Sequence, residues 1–136
     1  EDIAIKLAGL RDSYYELSGK ASDGVRQLSF AGIALIWIFR SEQGGPLAVP
    51  SELLAPAALF VAALAFDLIQ YLLGTFIWGI YHRYKEGQIG ASSSAEFDAP
   101  FVLNWPATAL FWTKAGAVVF AYLLIFNFIH ARLPPA

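Results

Sequence analysis

The chain has 136 residues, enough for one domain, with 57% hydrophobic and 15% charged residues, against roughly 45–50% and about 25% in an ordinary soluble domain. Its formal net charge of −2 offers no electrostatic footprint for nucleic acid, and no block of like charges forms a tail. The absence of cysteine excludes disulfides, thiolate nucleophiles and cysteine-held metal or iron–sulfur centres. The expected fold class is an all-α integral membrane protein: three transmembrane helices preceded by an amphipathic N-terminal helix. Residues 1–24 are assigned to that helix and 25–136 to the membrane domain, with spans near 25–40, 54–81 and 105–131.

The opening "EDIAIKLAGLRDSYYEL" mixes acids and bases through its apolar positions, unlike a signal peptide. Ile3, Leu7, Leu10, Tyr14 and Leu17 recur at spacings of four and three, which makes a packing seam of a little over two heptads. Continued in phase, the rhythm passes through Ala21, Gly24, Leu28, Ala31, Leu35 and Ile38, all apolar or small. That continuity predicts one helix running on into the first span, softened near Gly19 and Gly24, with the seam against a partner. Each glycine costs about 1 kcal/mol relative to alanine, and Ser22 or Asp23 could cap a fresh helix instead. The alternative for the stripe is a helix lying on lipid headgroups.

A span needs about 20 apolar residues, yet only 13 separate Arg26 from Arg40. Arg26 is therefore expected to extend its aliphatic stem toward the headgroups, with Trp37 and Arg40 at the other interface; a buried or re-entrant helix is the alternative. The second span, built on "PAALFVAALAFDLIQYLLGTFIWGI", and the third, "WPATALFWTKAGAVVFAYLLIFNFI", carry one charge each. Ser51 and Asn104 stand as N-cap candidates, with Glu52 in a first turn. "YHRYKEG" reads as the aromatic and basic edge that ends the second span. Small residues such as Ala63, Gly116 and Ala117 would let helices approach closely. Six Lys and Arg (Lys6, Arg11, Lys20, Arg26, Arg83, Lys85) stand against Arg40 and Arg132 on the other side. The N-terminus is then cytoplasmic and the C-terminus opposite, with a bacterial inner membrane as the expected location.

Asp67 is the most informative residue, because an ionised carboxylate deep in a span costs at least ~2.5–3.5 kcal/mol on insertion scales. Gln70, Tyr71 and Gly74 follow it on the same helical face. Lys114 is its natural partner, at a depth differing by about 6 Å from the helical rise, with Gln70 between them. Asp67, Gln70, Tyr71 and Lys114 thus form an expected intramembrane polar cluster. It serves either to lock helices together or to line an ion or proton path. His82 and His130 close spans on opposite faces; neither is read as having an acidic or histidine partner one turn away, so no metal site is expected. No cofactor or catalytic constellation is recognised, and no enzyme is expected. The leading functional expectation is a small oligomeric channel, gated by the N-terminal helix. The alternative is a non-catalytic accessory subunit of a larger membrane complex. The expected partners are the lipid bilayer and either further copies of the chain or another membrane protein.

Overall fold

The computed structural model describes residues 7–40, 48–89 and 101–133. Three long helices make up nearly all of it: α1, Leu7–Ile38, α2, Leu54–Ile89, and α3, Trp105–His130. Single 3-10 turns, Ser51–Leu53 and Phe101–Leu103, lead into α2 and α3. No strand occurs among the described residues.

The 32 residues of α1 form one helix straight through the Gly19–Gly24 stretch. Its last turn tightens, with Phe39 N donating to Ile36 O at 3.1 Å and Arg40 N to Trp37 O at 3.3 Å, which satisfies carbonyls that have no partner further along. The caps differ from expectation. Pro50, not Ser51, holds the N-cap position of the first 3-10 turn, and the Ser51 hydroxyl donates to Glu52 Oε2 at 3.2 Å. Asn104 does stand at the N-cap of α3, but its side chain makes no capping bond; its carbonyl accepts from Thr108 N and Thr108 Oγ1, both at 3.1 Å. Helix α2 passes Gly87 and the expected edge near 81, because Gly87 keeps helical geometry and the chain stays in register to Ile89.

Each helix buries one stripe at alternating spacings of four and three. In α1 it is Ser22, Val25, Ser29, Gly32 and Ile36; in α2 it is Pro56, Phe60, Ala63 and Asp67; in α3 it is Phe111, Lys114, Val118, Ala121, Ile125 and Phe128. That is the rhythm of helices crossing at shallow angles. The α1 stripe runs one residue C-terminal to the expected seam. Leu10, Tyr14 and Leu17 are exposed in this chain, Leu17 to 65%, and so are Ala21, Leu28 and Ile38. Ile3 and the Leu7 side chain lie outside the described residues. The shift follows from side-chain size: small Ser22, Ser29 and Gly32 let α1 approach its neighbours, and the bulkier Leu28, Phe30 and Ile38 turn outward.

The tightest approach is at Gly32. A Cβ added there would overlap the ring of Phe60, which is fully buried and meets Tyr122 edge-on at 5.2 Å. Tyr122 in turn donates its hydroxyl to the Leu28 carbonyl at 2.9 Å, tying α3 to α1. Gly116, expected at a close contact, is exposed, whereas Ala63 and Ala121 are fully buried. At the same end of the bundle, Phe39 meets Phe128 edge-on at 5.5 Å.

Two helical segments, Ser51–Gln88 and Trp105–His130, are long and apolar enough to cross a membrane. The expected first span is the second half of α1 and is not one of them.

Replacing Gly32 with alanine should force the Phe60 ring to move and destabilise the bundle by ~1–3 kcal/mol, as overpacking does. Thermal unfolding of Gly32→Ala in detergent reads this directly. Gly32→Ala combined with Phe60→Leu should recover part of the loss; an unchanged melting midpoint in the single variant rules out the close approach.

Candidate functional site

The charge pair stands where α1, α2 and α3 face one another. Helical spacing puts Ser22 and Arg26 one turn apart on α1, and Asp67 and Tyr71 one turn apart on α2. Lys114, fully buried, reaches from α3 to Asp67 Oδ1 at 2.5 Å. Its ammonium also donates to Ser22 Oγ, and Ser22 Oγ donates to Asp67 Oδ1 at 3.1 Å. Arg26 Nε donates to the other carboxylate oxygen, Oδ2, at 2.9 Å. The remaining guanidinium nitrogens lie 3.4 Å from Asp23 Oδ1 and 3.3 Å from Tyr71 Oη. Both oxygens of Asp67 are therefore occupied by donors from two other helices.

The hydrogen-bond inventory of this cluster is consistent throughout. A lysine ammonium has three donors and no acceptor, a serine hydroxyl accepts from it and still donates onward, and an ionised carboxylate only accepts. Two cations, Arg26 and Lys114, face two carboxylates, Asp23 and Asp67, so the group carries no formal charge. Burial of the Asp67–Lys114 contact removes water that would otherwise screen it, and the added hydrogen bonds offset the desolvation of both ions.

Of the four residues expected to cluster, the structure brings Asp67, Tyr71 and Lys114 together with Arg26. It does not place Gln70 between Asp67 and Lys114; Ser22 bridges them instead. The Gln70 Oε1 atom is buried and has no hydrogen-bond partner. Arg26 places its Nε on the buried Asp67 carboxylate while the rest of its guanidinium stays part-exposed at the rim of the bundle. Ser22 and the Asp67-bound Arg26 are the residues that sequence reasoning missed. Their signal is the i, i+4 spacing of a hydroxyl and a cation across from an acid.

A cavity of ≈ 180 Å³ opens beside the cluster, lined in part by Tyr14, Ser18, Ser22, Gln70, Tyr71 and Thr108. At the other end of the bundle Arg132 lies over the Phe128 ring at 3.7 Å and 3.8 Å from Glu52. His82 does have an acidic neighbour, correcting the expectation: Glu86 stands one turn on, with Nδ1 to Oε2 at 3.7 Å and both side chains largely exposed. His130 stacks on Phe126. Among the described residues no group of three or more His, Cys, Asp or Glu is placed to hold a metal ion.

No family model, curated protein or solved structure matches the chain.

Lys114→Ala should be the most damaging single change at this site, because it leaves Asp67 and Ser22 buried with one cation fewer. Asp67→Asn should be milder, since an amide keeps hydrogen-bonding capacity without the charge. The double variant should recover part of the sum, with a coupling on the order of 1 kcal/mol, the scale of such pairs between membrane helices. Unfolding of the four proteins in mixed micelles measures the cycle; strictly additive losses would show that the pair contributes no coupling.

Proposed function

We propose that this chain is an integral membrane protein of three spans. In this reading it acts as a non-catalytic structural or accessory subunit, with the Asp67–Lys114–Ser22–Arg26 group locking its helices in register. The observation that carries the locking role is that both Asp67 oxygens accept hydrogen bonds from other helices, Oδ1 from Ser22 and Lys114 and Oδ2 from Arg26. A carboxylate with both oxygens used within one chain is engaged in holding helices, not in waiting for a passing ion.

The membrane reading rests on the distribution of side chains. The polar residues Ser22, Ser29, Asp67 and Lys114 are buried among the helices, whereas Phe30, Leu68, Leu72, Phe76, Phe120 and Phe126 are exposed. Water would penalise that outer surface, whereas hydrocarbon accepts it and leaves close packing and polar bonds to join the helices. The second half of α1 supplies the third span in this reading, with Arg26 paired to Asp67 at the rim of the bundle. With Arg26 left out, because it pairs with Asp67, Lys6, Arg11, Lys20, Arg83 and Lys85 stand against Arg40 and Arg132, and five against two favours a cytoplasmic N-terminus. Exposure of Leu10, Tyr14 and Leu17 along one stripe favours a partner there, either another copy or a second membrane protein.

A small oligomeric channel is the second reading, and the cavity beside Ser22 and Gln70 is what favours it. Purified protein in liposomes separates the two. The subunit reading predicts no ion flux, together with a mass in nanodiscs above that of one chain or a protein that co-purifies. Flux that Asp67→Asn abolishes would replace it with the channel, and a monomer with neither flux nor partner would reject both.

A further inference from the structure

The cavity beside the ion group opens at the end that carries the N-terminal half of α1; a separate cavity of ≈ 440 Å³, lined by Glu52, Leu124, Asn127, Phe128, Ala131 and Arg132, lies at the other end, beyond the Phe60 layer. The walls of the first come from residues 14–22 of α1, Gln70 and Tyr71 of α2, and 104–111 of α3. Ser22 belongs both to this wall and to the buried ion group, since it bonds to Lys114 and Asp67. Thr108 lies six residues before Lys114, about 9 Å along the axis at the helical rise. The space therefore descends from the end of α3 to the ion group and meets it.

Next to the ion group a closely filled apolar layer separates this cavity from the other end of the bundle. Phe60, Ala63 and Ala121 are fully buried, Val118 and Ile125 nearly so, and Gly32 leaves no room beside the Phe60 ring. Apolar space of that kind stays empty of water, whereas polar space of this size with two or more partners per molecule holds it.

Chemistry selects the occupant. The neighbouring ion group carries no net formal charge, so it offers no excess of either sign to hold an ion. The wall hydroxyls of Ser18, Ser22 and Thr108 donate within the chain and present acceptor sites, the Gln70 amide can donate as well as accept, and Gln70 Oε1 is a buried acceptor without a donor. A small neutral molecule that bonds in both senses fits these requirements, and water is that molecule.

We propose that the cavity is a one-sided aqueous vestibule. Water enters from the end that carries the N-terminal half of α1, satisfies Gln70, and reaches Ser22. There it gives the Asp67–Lys114 pair its exchange with solvent. The Phe60–Tyr122 layer stops it from going further. This rests on the membrane reading above and separates the vestibule from the cavity at the other end of the bundle.

The absence of cysteine in the whole chain gives a background-free test. Ser18→Cys and Thr108→Cys would report on the vestibule, Ala63→Cys and Ala121→Cys on the dry layer, each in oriented vesicles with a charged, impermeant methanethiosulfonate. Only a hydrated thiol ionises and reacts readily, so the vestibule positions should label roughly tenfold faster or more, from the α1 N-terminal side alone. Equal rates at the two depths, or labelling of all four positions from both sides, would overturn the vestibule. In the unsubstituted protein in nanodiscs, NMR magnetisation transfer from water to the Gln70 side-chain amide should be seen, and its absence would likewise overturn it. Alkaline extraction separates the two levels of inference. A chain released from vesicles fails the membrane reading, and a retained chain with unreactive Ser18→Cys fails the vestibule alone.

Discussion

An ionised carboxylate placed among apolar helices must find donors for every lone pair it can use, or the fold loses several kcal/mol to its desolvation. Asp67 finds three donors, on both other helices, and this requirement organises the bundle. Lys114 has to come from α3 at the matching depth, and Ser22 has to stand on α1 where both ions meet. Arg26, one turn further along α1, has to reach the second oxygen. A one-residue slip of any helix would rotate its contribution by about 100° and out of reach, given 3.6 residues per turn. The register of three long helices is thus tied to one carboxylate.

The apolar part of the interior has a different task. Its stripe residues are small or flat where helices come closest, as with Gly32 beneath Phe60, and Ser29 meets its own need by donating to the Val25 carbonyl at 2.7 Å. Packing of this kind fixes the distance between helices, and the seat of Phe60 at Gly32 adds to their register. Polar bonds specify that register further. The two kinds of contact occupy successive levels of the same bundle, with the ion group above the Phe60 layer.

Helices α2 and α3 were legible in the sequence because each is a long apolar run broken by one charge, and those two charges pointed at each other. The inward phase of α1 was not legible. Almost every residue of its second half is apolar or small, so hydrophobicity fits any phase there, and the outward residues Leu28, Phe30 and Ile38 are more apolar than the inward Ser22 and Ser29. The rule that apolar residues face inward selected the wrong neighbouring stripe. The pairing of Arg26 was missed for a related reason: a cation near a span end is normally explained by its reach toward the surface, and only the fold shows an acid within its range on another helix. Gln70 was assigned a bridging position from depth alone, and depth does not specify which way around the helix a side chain points.

The sharing of Asp67 between Arg26 and Lys114 has a consequence for the way such a chain is assembled. The first two helices emerge before the third, and their hairpin already contains Arg26, Ser22 and Asp67. The acid can therefore be half neutralised while the chain is still being made, before the helix that carries Lys114 exists. Lys114 by contrast has no carboxylate on its own helix and depends on a hairpin that is already in place. The charges thus impose a direction in time as well as in space, with the hairpin serving as the template and the last helix as the piece that fits it.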